Sequence, residues 1–170
     1  MNSIVLIGFM GSGKTTLAKA LKNDPAFEAM TFIDVDDHIE KTEGRKISDI
    51  FKSDGESYFR DIETKALKDI AGDERTKIVS CGGGVVERAE NADILKAIGT
   101  VIYTDSAVTK LWDRVGNDPK RPLSRDKEAF LKLYEKRERL YRSAADVIID
   151  TGNNDINKCV GLIKEALGIL

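Results

Sequence analysis

Apolar residues fall along this chain in short dense runs, separated by longer stretches of helical period. The first run, Ile4-Val5-Leu6-Ile7, is rich in β-branched residues and stops at Gly8. Unbroken hydrophobicity over so few residues marks a strand buried on both faces, the kind that parallel sheets contain. Similar runs at 31–33, 77–80, 100–103 and 146–149 predict four more strands. Between and after them, apolar positions recur every three or four residues over 15–22, 56–70, 87–98, 107–115, 128–143 and 155–167, which predicts helices. Strands alternating with helices predict βαβ units: an α/β fold with one five-stranded parallel sheet between two helical layers. Residues 36–57 hold two further short helical patterns, more chain than a plain crossover needs, so an insertion is expected at about 35–63.

Composition narrows the class. The chain has 170 residues, 41% hydrophobic and 33% charged, enough for one well-buried domain and too apolar for disorder. No run reaches the ~18 apolar residues of a membrane span. The N-terminus lacks a basic region and runs straight into glycines, unlike a secretory signal. The two cysteines, Cys81 and Cys159, fit no metal spacing, so the expected location is the reducing cytoplasm. The net charge of −2 hides an asymmetry: residues 110–142 carry +5 and include six of the ten arginines, while the remainder carries −7. Most such runs are solvated helix faces. Nucleic acid is not an expected partner, because the basic segment is interleaved with six acids and lacks aromatic stacking platforms.

The chemistry begins at Gly8-Phe9-Met10-Gly11-Ser12-Gly13-Lys14-Thr15, which matches G-x-x-x-x-G-K-[ST] between a strand and a helix. The glycines let successive N–H groups turn inward as an anion nest, and the helix N-terminus adds partial positive charge. Gly11, Ser12, Gly13, Lys14, Thr15 and Thr16 are therefore candidate phosphate contacts. Lys14 is the charge for the β- and γ-phosphates, and the Thr15 hydroxyl is a ligand for Mg²⁺. The nearest approach to a guanine-reading N-K-x-D, Asn157-Lys158-Cys159-Val160, lacks the aspartate, which argues against a GTPase. A small-molecule kinase needs only this loop, an acceptor pocket and a lid, and fits the length.

Acceptor chemistry is spread over several segments. Phe32-Ile33-Asp34-Val35-Asp36-Asp37 puts carboxylates at the carboxyl end of the second strand, where open sheets bind ligands, although Asp37 could equally cap the next helix. Phe59-Arg60-Asp61-Ile62-Glu63 places Arg60 and Glu63 on one helical face, an arrangement also expected of an ordinary surface ion pair. Gly82, Gly83 and Gly84 follow the third strand and offer backbone N–H groups where side chains would block a ligand. Arg121-Pro122-Leu123 lies in the basic segment between prolines, and Arg137-Glu138-Arg139-Leu140-Tyr141 in a later helix. His38 is expected at the surface, Trp112 in packing, and Cys81 beside the pocket as a small apolar residue.

In this order, F-I-D-x-D, F-R-x-x-E, G-G-G, R-P-L, R-x-x-L-Y and the closing Asp150-Thr151 resemble the shikimate kinases, small P-loop kinases of the nucleoside-monophosphate-kinase type. The resemblance spans almost the whole chain. It implies transfer of phosphate from ATP, with Mg²⁺, to the 3-hydroxyl of shikimate, on the route to chorismate and the aromatic amino acids. By the same resemblance Asp36 would bind the acceptor hydroxyls and take a proton, and Asp34 would stand in the second shell of Mg²⁺. Arg60 and Arg137 would clamp the acceptor carboxylate while Gly82, Gly83 and Gly84 close over the ring. Arg114 would stack on adenine, and Arg121, in a lid at about 115–127, would reach the ATP phosphates. Lys14, Asp36 and Arg121 form the implied catalytic set, and the insertion at 35–63 the acceptor-binding one. Arg125 is an alternative lid cation and Arg139 an alternative to Arg137. Two segments depart from the family's pattern. Gly152-Asn153-Asn154-Asp155-Ile156 lacks the usual arginine and proline beside adenine, and the lid reads R-P-L-S where R-P-L-L is usual. A monomer is the simple expectation. Another small-molecule kinase of this fold, such as a gluconate kinase, and a silent nucleotide-binding module are the competing readings.

Overall fold

A computed structural model describes residues 2–116 and 126–169. Five parallel strands, β1 (Ser3–Ile7), β2 (Thr31–Asp34), β3 (Lys77–Ser80), β4 (Gly99–Asp105) and β5 (Val147–Asp150), form one sheet in the order β2-β3-β1-β4-β5. The first strand lies at its centre, with Val5 opposite Val79 on one side and Val101 on the other. All five residues of β1 are buried, as a strand covered on both faces requires.

The side-chain period of two divides that burial between two cores. Ile4 and Leu6 point to one face, where Leu17, Ala18 and Leu21 of α1 (Lys14–Lys22) meet Cys159, Val160 and Ile163 of α8 (Ile156–Ala166). Val5 and Ile7 point to the other, beneath α4 (Gly55–Ala71), α5 (Ala89–Ile98), α6 (Val108–Val115) and α7 (Lys127–Ala144). Helices α2 (Val35–Glu43) and α3 (Ile47–Ser53) join that second layer through Ile39 and Ile50, and account for the two short patterns expected between the second and third strands. Trp112 packs edge-on to Phe130 at 5.2 Å, as its place in an amphipathic helix predicts.

Three local readings are corrected. Strand β4 runs to Asp105, longer than its apolar stretch, because its polar end hydrogen-bonds with β5. Residues 85–87 form a 3-10 turn, and α5 begins only at Ala89. The cap of α2 is Asp34 and not Asp37: Asp34 Oδ1 accepts the N–H groups of Asp36 and Asp37 at 3.0 and 3.2 Å. The acidic triplet thus winds into a helix turn, which turns Asp36 back toward the sheet edge.

Candidate active site

The carboxyl ends of β1, β2 and β3 open on a cavity of about 610 Å³. The turn from β1 into α1 makes one wall. Gly13, the residue just before α1, has φ +86°, a left-handed conformation that side chains resist. Long-range hydrogen bonds hold the loop from behind. Ser12 Oγ pairs with Thr104 Oγ1 at 2.7 Å, and Thr151 Oγ1 donates to Ser12 O at 2.8 Å. The Ser12 hydroxyl is therefore used inside the protein, leaving its main chain to face the cavity. Lys14 Nζ lies across the loop, donating to Gly8 O at 2.7 Å and Phe9 O at 3.0 Å. Thr15 and Thr16 share this wall.

Arg114 lies over the same loop from α6, donating to Gly11 O at 3.0 Å and Thr151 O at 3.3 Å. The departing segment after β5 is ordered by its own contacts. Asp150 Oδ1 accepts from Gly152 N at 2.8 Å and Asn153 N at 2.9 Å, and Lys110 Nζ donates to Gly152 O at 2.8 Å. Asn154, Ile156 and Cys159 complete the wall at that end.

Opposite stand Asp34, Asp36, Cys81, Gly82 and Gly83. Burial, reinforced by the charge of Asp34, pushes the Asp36 carboxyl up to about 6, against the pull of Lys14. Burial likewise pushes the Cys81 thiol upward, so it is an inert wall residue. A side chain at Gly82 would sit 2.9 Å from Asp36 Oδ1 and 3.4 Å from Glu63 Oε1, which locates both carboxylates around that glycine.

Arg60, Gly84 and Arg137 do not line this cavity; they adjoin its glycine end. Arg60 packs so closely on Gly84 that any Cβ there would overlap the guanidinium. Its NH1 donates to Glu63 Oε2 at 2.7 Å and its NH2 to Glu56 Oε1 at 3.2 Å. This is no surface pair: the Arg60 and Glu63 side chains are 11% and 1% exposed. Burial raises the Glu63 carboxyl, and Arg60 offsets part of that rise. Two further atoms of the pair, Arg60 Nε and Glu63 Oε1, are buried without a hydrogen-bond partner, a costly state unless a ligand meets them. Arg137 lies within reach of Gly83, its NH1 being 3.6 Å from where a Cβ there would stand. Arg139 is on the exposed side of α7. The Tyr141 hydroxyl, one turn beyond Arg137, donates to Gly83 O. Arg121 and Arg125 lie outside the described residues.

The sequence paired Arg60 with Glu63 but did not show that the pair is buried, because that depends on β3 and the glycines. Glu87, which accepts from Arg137 Nε at 2.7 Å, is 50 positions away from it and gives no local signal. Among the described residues no cluster of three or more His, Cys, Asp or Glu could hold a metal.

A glycine nest for phosphate thus faces aspartates across one cavity, with buried arginines adjoining its glycine end. That arrangement, on a five-stranded parallel sheet, defines a P-loop phosphotransferase of the nucleoside-monophosphate-kinase-like fold. The family model for shikimate kinase matches residues 10–167. A shikimate kinase of Persephonella marina is 39% identical over 169 residues, covering 96% of this chain and all of that one. Among solved structures, shikimate kinase from Acinetobacter baumannii in complex with shikimate superposes with a TM-score of 0.87 at 29% identity, covering 99% of this chain and 94% of that one. The enzyme from Aquifex aeolicus gives 0.84 at 33% identity, covering 98% and 96%. The chain belongs to the shikimate kinase family, phosphotransferases with an alcohol acceptor.

Proposed function

We propose that this chain transfers the γ-phosphoryl group of ATP to the 3-hydroxyl of shikimate, forming shikimate 3-phosphate for aromatic amino acid biosynthesis. The observation that carries the acceptor side is the buried, unpartnered pair Arg60 Nε and Glu63 Oε1 beside Gly82, Gly83 and Gly84. A buried donor and a buried acceptor, each without a partner, suit a small polyhydroxy acid, and two guanidinium groups suit its carboxylate. The donor side rests on the main-chain nest of Gly11, Ser12 and Gly13 with Lys14, and on Arg114 beside the base.

Phosphoryl transfer has a loose transition state, so alignment and charge neutralisation matter more than a strong base. Asp36 binds the attacking hydroxyl and accepts its proton as the oxygen–phosphorus bond forms. Lys14 neutralises charge on the β/γ oxygens. The exposed Thr15 hydroxyl and the Asp34 carboxylate supply hard oxygen donors in the same cavity, without a dedicated cage. That set fits Mg²⁺, which retains waters and binds largely through phosphates. Thr15 would ligate it directly and Asp34 through water, and when bound it supplies charge neutralisation on the β- and γ-phosphate oxygens. The proposed domain plan is a core with an acceptor-binding insertion at 35–63; the lid expected at about 115–127 with Arg121 lies mostly outside the described residues. ATP and shikimate are the partners, the cytoplasm the location, and a monomer the working unit. No helix among the described residues is long and apolar enough to cross a membrane.

A coupled assay of ADP release, with shikimate and gluconate side by side, tests the reading. Shikimate-dependent release is expected; release with gluconate alone would sink it, as would binding of ATP and shikimate by calorimetry without turnover. Arg60→Ala or Arg137→Ala should raise the shikimate KM by about tenfold or more, the loss of a charge-assisted contact, with the ATP KM nearly unchanged.

A further inference from the structure

Arg137 reaches the acceptor end of the cavity in a particular grip. Its Nε donates to Glu87 Oε1 at 2.7 Å, and its NH2 lies 2.6 Å from the same oxygen. The second oxygen, Oε2, accepts from Lys136 Nζ at 3.0 Å. Glu87 ends the 3-10 turn that follows the three glycines, and its N–H bonds to Gly84 O at 3.0 Å. One carboxylate therefore ties the glycine segment to two successive residues of α7.

A guanidinium has five N–H groups in a fixed plane. Glu87 takes the side edge, Nε with NH2, and does not use the terminal fork between NH1 and NH2. Arg137 NH1 is the atom nearest the place of a Cβ at Gly83. The Arg137 and Glu87 side chains are 9% and 15% exposed, so the contact is held away from solvent, whereas Lys136 is 61% exposed. Burial alone would raise the Glu87 carboxyl, but Lys136 and Arg137 outweigh it and hold it below the usual range. It is an anion, and its charge also reaches Arg60. A bare anion there would weaken the attraction of both arginines for an acidic acceptor; Lys136 offsets it from the solvent side.

We propose that Glu87 is a positioning residue for acceptor recognition: it holds the Nε–NH2 edge of Arg137 so that the terminal fork faces the acceptor carboxylate, while Lys136 cancels its charge. This rests on Arg137 binding that carboxylate. Glu87 touches neither substrate and acts by removing rotamer freedom that Arg137 would otherwise lose on binding.

Glu87→Ala is expected to raise the shikimate KM about three- to tenfold, as one freed long side chain predicts, with kcat within about twofold and the ATP KM unchanged. Glu87→Gln, which keeps an oxygen for Nε, should fall between Glu87→Ala and the parent. Lys136→Gln should raise the shikimate KM in the parent but not in the Glu87→Ala background. The methyl ester of shikimate, which lacks the anionic carboxylate, should have the same KM with Glu87→Ala as with the parent. A shikimate KM that is unchanged or lowered by Glu87→Ala overturns the proposal. So does an equal rise for acid and ester, which would mean a merely structural role. If Arg137→Ala leaves the shikimate KM unchanged, the carboxylate reading itself fails; if it raises KM and Glu87→Ala does not, only the role of Glu87 fails.

Discussion

Asp36 shows how one side chain takes its properties from position. An aspartate in water titrates near ~3.9, but behind the Asp34 cap and beside Gly82 the Asp36 carboxyl titrates at about 6. In its proposed role Asp36 must be ionised to accept a proton from the acceptor hydroxyl, so kcat/KM for shikimate should fall below pH about 6, and a profile flat to pH 5 would contradict that assignment. The stability consequence has the opposite sense. A carboxyl whose folded pKa lies above its unfolded one favours the fold while protonated, and this contribution is lost as pH rises through about 6. Asp36→Asn should therefore be inactive yet more stable than the parent at pH 7, by roughly a few degrees in Tm, with the difference closing near pH 4. Thermal melts at the two pH values check it. The burial that tunes Asp36 also silences Cys81, which shares the charges of Asp34 and Lys14.

Helix α7 is the element that joins the core to the acceptor end. Phe130 and Tyr141 anchor its inner face, Phe130 against Phe9 with ring centres 5.1 Å apart and Tyr141 stacked on Tyr103 at 5.2 Å. One turn before Tyr141, the same face presents Arg137. The periodicity of α7 was legible from its apolar positions, and so was the likeness of Arg137 to an acceptor-binding arginine. Its grip on Glu87 and the Tyr141 bond to Gly83 were not, because both cross to a turn some fifty residues earlier. Tyr141→Phe removes only that hydroxyl and leaves the Gly83 carbonyl without it. It should cost about 1 kcal/mol in denaturant unfolding and raise the shikimate KM severalfold, whereas an unchanged KM would detach α7 from the placement of the glycines.

At the scale of the whole molecule, one cavity spans both the nest and the proposed acceptor end at Asp36 and the glycines, so ligands at either end should stabilise the same cooperative unit. A nucleotide that binds only the folded chain adds roughly 2.7 kcal/mol at one hundred times its Kd. For a domain of this size that is about 5–10 °C in Tm. Scanning calorimetry with ADP, its Kd measured separately by titration, checks this; a Tm that does not respond would mean that the nest is not part of the folding unit.

Adjacent residues determined the phosphate loop's chemistry, since nest, lysine and helix start lie within eight positions. They also determined the alternation of strands and helices, because each period is a local record of which face is buried. The strand order β2-β3-β1-β4-β5 was decided only by tertiary packing, as were the Ser12–Thr104 and Thr151–Ser12 bonds. So was the change of Arg60–Glu63 from an unremarkable helical pair into a buried one with two unmet polar atoms. The physical reason is common to all of these. Desolvation and charge pairing depend on what surrounds a group in space, and here those neighbours come from segments tens of residues apart, brought together only when the sheet closes its two cores.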